Sequence, residues 1–293
     1  MLLWCAFLVA FASQEPARPL PDAESFRKDV PRIGNDAQTS FFQAVYRQDF
    51  IFNAVSYSYS EKETSITQDQ RATVDTRTYT ITRGPEMWQR YRKQISGNGS
   101  PLTDQEMQQQ DRNHQRSEES FRANLARLEA ESDSAKSKAA EASARARQAT
   151  NDDTMALFDI RVIGRERIDN IPVVSLELKP RRQYKPKTEV GEILKDWTIR
   201  AWVTENDRQV VRLTADLDEE YNEGVAVVEK GATLSVERRL INEEVWLPTR
   251  LEITKRRPRV NGRLGPPQRV ITEFSDFKKF TVDAVIRPVG IAQ

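Results

Sequence analysis

Across residues 197–280 apolar and polar positions alternate with period two and no helical period intervenes, which predicts strands with one buried face. Trp197-Thr198-Ile199-Arg200-Ala201-Trp202-Val203 reads as a strand, Glu205-Asn206-Asp207 as a turn, and Gln209-Val210-Val211-Arg212-Leu213-Thr214-Ala215 as the returning strand. Further strands are predicted over 225–228, 232–239, 244–254 and 269–280, joined by turns at Glu229-Lys230-Gly231, Ile241-Asn242-Glu243 and Arg259-Val260-Asn261-Gly262. Within 244–254, Val245, Leu247, Leu251 and Ile253 fall on one face, opposite Trp246, Arg250 and Glu252. Consecutive antiparallel strands with short turns predict a strongly curved meander whose concave face must be covered.

The same alternation occurs upstream. Residues 50–60 form a predicted strand, and 73–82, with Val74, Thr76, Thr78 and Thr80, form its hairpin partner. Residues 87–95, carrying Met87, Trp88, Tyr91 and Ile95, fit a third strand or a helical turn, the strand being preferred. Segments 158–163 and 173–178 resume the pattern around an Asp169-Asn170 turn, so one continuous sheet is expected on both sides of residues 103–149.

Two stretches have the helical period. Phe41, Phe42, Val45 and Tyr46 predict a short amphipathic helix over 38–47. After the turn Gly97-Asn98-Gly99-Ser100-Pro101, Thr103 and Glu106 have capping-box spacing, and no breaker follows until Ala149. That helix has a brief apolar stripe at Phe121, Leu125 and Leu128, then Ala135, Ala139, Ala140, Ala142, Ala144 and Ala146 among charged residues. It has high propensity, little to bury and no sustained heptad seam. Three placements stay open: an arm projecting from the sheet, a lid across it, or a contact with a second copy.

The chain opens with an apolar run from Leu2 to Ala12, too short to span a bilayer as a helix and ending in Ala10-Phe11-Ala12. Residues 1–13 are therefore read as a cleaved export signal, the competing reading being a buried N-terminal element. Cleavage would leave no membrane span in the mature protein and place it in the periplasm or otherwise outside the cytoplasm. Pro16, Pro19 and Pro21 mark 14–37 as a linker, followed by a single domain over 38–288 with the helical insertion 103–149 and a tail, 289–293. The fold class is mainly β: a curved antiparallel sheet or half-open barrel with covering helices and one long charged helix.

Composition removes several functions. With 45 basic and 44 acidic residues the net charge is +1, which offers no field for nucleic acid. Cys5 is the sole cysteine and His114 the sole histidine, so disulfides, Cys/His zinc sites and thiolate chemistry are not expected, and a histidine triad would have to use His114, read here as a solvated helix residue. No metal and no cofactor is expected. The visible carboxylate pairs, Glu219-Glu220 and Glu243-Glu244, fall at or near turns, and no enzyme is predicted. The basic run Arg181, Arg182, Lys185 and Lys187 reads as a solvated loop, with an anionic headgroup contact as the alternative.

Several short words resemble those of exported bacterial proteins of the outer-membrane lipoprotein-sorting type, the LolA/LolB and RseB-like superfamily. They are Asn98-Gly99-Ser100-Pro101-Leu102-Thr103 before a charged helix, Ala201-Trp202-Val203-Thr204 with Asp207-Arg208-Gln209-Val210, Val245-Trp246-Leu247-Pro248, and Phe274-Ser275-Asp276-Phe277-Lys278-Lys279-Phe280. The resemblance implies a half-open antiparallel barrel closed by helices whose cavity receives lipoprotein acyl chains. The chain departs from it in the length of its helical insertion.

Two functions follow. In the first, a carrier or chaperone holds a lipid or an acylated protein in the apolar half-barrel, with Trp197, Ile199, Leu213, Leu234, Val236, Leu247, Leu251, Ile253 and Phe274 as candidate cavity residues. Ordinary core packing is the competing reading for all of them. In the second, the sheet is a platform for an envelope sensor or scaffold that holds a protein partner through helix 103–149.

Overall fold

Alternation makes strands, but the order in which they pair makes the architecture. The computed structural model describes residues 57–69, 72–83, 90–129, 133–207 and 209–279. Its strands are β1 (Tyr57–Thr67), β2 (Thr73–Arg83), β3 (Arg90–Gly97), β4 (Ser100–Pro101), β5 (Phe158–Ile168), β6 (Ile171–Pro180), β7 (Trp197–Thr204) and β8 (Val210–Leu217), then β9 (Tyr221–Asn222), β10 (Ala226–Val228), β11 (Thr233–Ile241), β12 (Val245–Val260), β13 (Arg263–Leu264) and β14 (Gln268–Lys279). The helices are α1 (Asp104–Glu129), α2 (Asp133–Leu157) and α3 (Glu189–Leu194). The predicted signal, linker, helix 38–47, first half of strand 50–60 and tail lie outside the described residues.

The strands form one antiparallel sheet in the order β4-β3-β2-β1-β14-β12-β11-β8-β7-β6-β5, with β9, β10 and β13 branching from β12. The sheet is curved and unclosed, a half-open β-barrel with a helical insertion. β14 inserts between β1 and β12, which joins the N-terminal hairpin to the meander. The two ends of the sheet, β4 and β5, follow one another in the chain, and α1 and α2 make the connection between them.

Local chemistry explains most boundaries. Asp169 and Asn170 both have positive φ, 49° and 66°, as a two-residue hairpin of the favoured twist requires, and Asn261-Gly262 repeats this between β12 and β13 at 50° and 76°. At the start of α1, Glu106 accepts from the Thr103 backbone N–H at 2.9 Å while Thr103 Oγ1 accepts from the Glu106 N–H at 3.3 Å. The predicted helix 103–149 becomes two helices and continues to Leu157. Leu157 is completely buried in the main core and anchors the last turn, a reason that lies outside the helix. Likewise β1 runs past the predicted end at Ser60 to Thr67, because its backbone stays paired with β2 on one side and β14 on the other as far as Thr67.

The main core lies on one face of β5 to β8 and under α3. Val174, Leu176 and Leu178 of β6, Trp197, Ile199, Ala201 and Val203 of β7, and Ala215 and Leu217 of β8 pack there with Leu157, Phe158 and Leu194. Short α3 is an element that sequence periodicity does not reveal, as are the two-residue strands β4, β9 and β13. Thr188 caps α3 by accepting from the Gly191 N–H at 3.1 Å, but six residues are too few to establish a period.

Candidate functional site

Residues paired across an antiparallel ladder share a face, so the register traces the inner face strand by strand. One row runs Leu176, Ala201, Leu213, Val236, Leu251, Thr272, Glu63, Arg77. The next runs Leu178, Ile199, Ala215, Leu234, Ile253, Val270, Ser65, Asp75. Both rows begin in the packed core, pass through aliphatic residues on β8, β11 and β12, cross β14 at Thr272 and Val270, and end in polar and charged groups on β1 and β2.

The nine candidates divide along these rows. Trp197 and Ile199 are 1% and 2% exposed and belong to the main core. Leu213, Leu234, Val236, Leu251 and Ile253 are partly buried on neighbouring strands, with Leu213, Leu234 and Ile253 packed against the edge of the main core, and Phe274, two positions beyond Thr272, is partly buried beside Tyr59 at a ring separation of 5.9 Å. Leu247 departs from the expected grouping with Leu251 and Ile253. The β11–β12 register shifts between Glu237 and Arg238, and Leu247 is completely buried in a separate cluster with Tyr57, Ile241, Val245 and Phe277.

The C-terminal end of α2 is held against α3 by a buried carboxylate. Asp153 of α2, 3% exposed, accepts from Tyr184 Oη at 2.8 Å, Thr188 Oγ1 at 2.6 Å, and the backbone N–H groups of Lys187 and Thr188 at 2.9 Å. Burial by itself would raise the Asp153 carboxyl, but the Thr188, Tyr184 and backbone donors outweigh it and hold the pKa below the ordinary value. The basic loop before α3 therefore has a fixed backbone, while Arg182, Lys185 and Lys187 remain exposed.

At the other end of the inner face, Arg92 of β3 lies 3.4 Å from the centroid of Tyr79 and donates to Glu61 at 2.7 Å and 3.1 Å. Burial opposes the Arg92 charge, and Glu61 more than compensates, raising its pKa. Glu63 has a longer contact to the same guanidinium, 3.3 Å, and Asp75 pairs with Arg77 at 2.9 Å. Beside them a half-open cavity of about 500 Å³ is lined by Glu63, Ser65, Asp75, Arg77, Asn98 and Gln268, among others. None of these charged residues stands out in the sequence. The alternation Glu61, Glu63, Ser65 is their one local signal, and it is hidden by the intervening Lys62 and Thr64.

The outer flank of β3 is covered by α1. Gln110 presents its side-chain amide to the backbone of Gln94, accepting from the N–H at 2.9 Å and donating to the carbonyl at 3.1 Å, as a neighbouring strand would. Asp111 accepts from Tyr91 Oη at 2.7 Å and pairs with Lys93 at 2.8 Å. His114, expected to be solvated, instead stacks on Tyr91 with ring centroids 4.0 Å apart, because α1 docks along the edge strand. Among the described residues no group of three or more His, Cys, Asp or Glu side chains could hold a metal, and no helix is long and apolar enough to cross a membrane.

No family model and no curated protein matches the sequence. Solved structures do align over most of the chain. A DUF1329 family protein from Desulfovibrio piger is 11% identical, with 85% of this chain and 94% of that chain covered and a TM-score of 0.32. A domain described as an outer membrane lipoprotein-sorting protein from Vibrio parahaemolyticus gives 8%, 86%, 95% and 0.33 for the same quantities, and a LolA superfamily protein from Nitrosomonas europaea gives 11%, 80%, 94% and 0.26. The half-open architecture itself is established by the strand order and register of this chain.

Proposed function

We propose that the protein is an exported, non-enzymatic carrier that receives the acyl chains of a lipid or acylated protein on the inner face of the half-barrel. The observation supporting this is the contiguous aliphatic surface of Leu213, Leu234, Val236, Leu251 and Ile253, only partly buried and in register on adjacent strands where it continues the main core. Solvent-facing aliphatic groups on a sheet interior are normally covered by a helix or a second sheet, and a contiguous patch marks a binding surface. Each acyl methylene sequestered there contributes about 0.8 kcal/mol, with no need for directional chemistry. Phe274 extends the surface, while Trp197 and Ile199 form its packed floor toward α3.

Native mass spectrometry of the mature protein from an envelope fraction should show co-purifying lipid, and a fluorescent fatty-acyl probe should bind. Val236→Asp and Leu251→Asp should each abolish probe binding while leaving the far-UV circular dichroism unchanged. Absence of both co-purified lipid and lipid-dependent thermal stabilisation would reject the carrier.

A second reading is favoured by the surface of α1. It engages β3 through Gln110, Asp111 and His114, while residues 115–124 are almost all exposed. In that reading α1 and α2 carry a protein partner and the sheet supports them. Shortening the insertion beyond His114 would then eliminate partner capture and leave acyl-probe binding intact.

A further inference from the structure

The rows on the inner face change character at a sharp boundary. From Leu213 through Val236 and Leu251 they are aliphatic; Thr272 is the transition, and Glu63 and Arg77 complete the same row. At about 4.8 Å per strand, Glu63 and Leu213 are roughly 19 Å apart along the sheet, the length of a long acyl chain. The cavity of about 500 Å³ lies at the charged end of this row. An aliphatic track that terminates in a charged cavity matches an amphiphile, with the head and tails at defined ends.

The charges specify the head. The charged residues that line the cavity are Glu63, Asp75 and Arg77, two carboxylates against one guanidinium. Both Arg92 donors at 2.7 Å and 3.1 Å are directed at Glu61, which is 7% exposed, leaving Glu63 with the longer 3.3 Å contact and acceptor capacity toward the cavity. Arg256, opposite Gln268 at the cavity rim, is taken up by Glu223 at 3.3 Å. Arg77 pairs with Asp75 at 2.9 Å, yet it borders the cavity with its side chain 49% exposed and is the register partner of Glu63. A cationic amine would find Glu63, and a phosphate one strand away would find Arg77.

We infer that the cavity at Glu63 and Arg77 is a headgroup site for an amine-bearing zwitterionic lipid whose tails lie along Thr272, Leu251, Val236 and Leu213. The inference rests on the carrier reading above and adds to it a selectivity and a direction of insertion.

The test is displacement of a bound fluorescent fatty-acyl probe by short-chain phosphatidylethanolamine and short-chain phosphatidylglycerol with identical tails. The ethanolamine lipid should displace the probe about tenfold more effectively, the scale of one charge-assisted contact. Glu63→Gln should bring the two lipids within about twofold by weakening the ethanolamine lipid alone, and Glu63→Lys should reverse the order. Asp75→Asn, a second variant at the same cavity, should narrow the preference in the same direction. Equal displacement by both lipids in the unaltered protein, or a preference that survives Glu63→Gln and Asp75→Asn, would overturn the headgroup site and leave the carrier standing. Failure of the fatty-acyl probe itself to bind would remove the carrier, and this inference with it.

Discussion

The indole Nε1 of Trp246 donates to Asp207 Oδ2 at 2.8 Å, tying the β12 strand to the β7–β8 turn across 39 residues of sequence. Each belongs to a different short word through which the sequence resembles the lipoprotein-sorting proteins, and the two words meet here. Trp246 packs with Val173, Val211 and Trp202, and Trp202 donates to Glu166 at 2.5 Å. Arg238 is buried beside them and donates to the carbonyl of Val210 at 3.1 Å and to that of Trp246. These tryptophans thus secure strand ends and are not on the aliphatic rows of the inner face.

Trp246→Phe should remove the donor to Asp207 while preserving most of the packing, lowering stability by about 1 kcal/mol, and Trp246→Ala should cost about 3–5 kcal/mol. Urea midpoints with an unchanged m-value would measure both. Equal losses in the two variants would show that the hydrogen bond, and not the ring volume, governs the site.

Asp153 predicts an acid dependence. Its folded pKa lies below the ordinary carboxylate value, so the unfolded chain takes up the proton first as pH falls. Its contribution is complete above the unfolded value of about 4 and is lost as pH falls through the lower folded value. Asp153→Asn should cost about 2 kcal/mol at neutral pH and flatten the acid limb of the stability profile. An acid limb identical in wild type and variant would reject this role.

Gly191→Ala should detach α3. A Cβ at that position would lie 2.3 Å from Asp153 Oδ2 and 2.9 Å from Pro186, so either the carboxylate network or the helix must move. A loss of about 1–3 kcal/mol is expected, with increased amide exchange in α3 and at Lys187 and Thr188. Protection unchanged at those amides would rule it out.

Gln110→Ala should expose the β3 edge. The Gln94 N–H, which donates to the Gln110 side chain, should exchange faster by about tenfold, whereas amides of β6 and β7 should be unaffected. A change spread evenly over the sheet would indicate global destabilisation instead of loss of an edge cap.

Much of this architecture is legible in the residues. Alternation located β5, β6, β7 and β8, the Asp169-Asn170 and Asn261-Gly262 pairs announced their turns, and Thr103 with Glu106 marked the start of α1. Each signal is local: side-chain period, positive φ and capping act within a few residues. The scarcity of His and Cys is likewise plain in the composition.

What the tertiary structure alone decided is which distant residues become neighbours. Nothing in the period of β14 places it beside β1, yet that pairing brings Thr272 opposite Glu63 and joins an aliphatic track to a charged cavity. The end of α2 depends on Leu157 entering the core and on Asp153 meeting Thr188, 35 residues away. The register shift at Glu237 and Arg238 removes Leu247 from the row that its own alternation predicts. Periodicity states which side of a strand is apolar, whereas pairing partners, bulges and the burial of single charges are set by contacts between segments far apart in the chain.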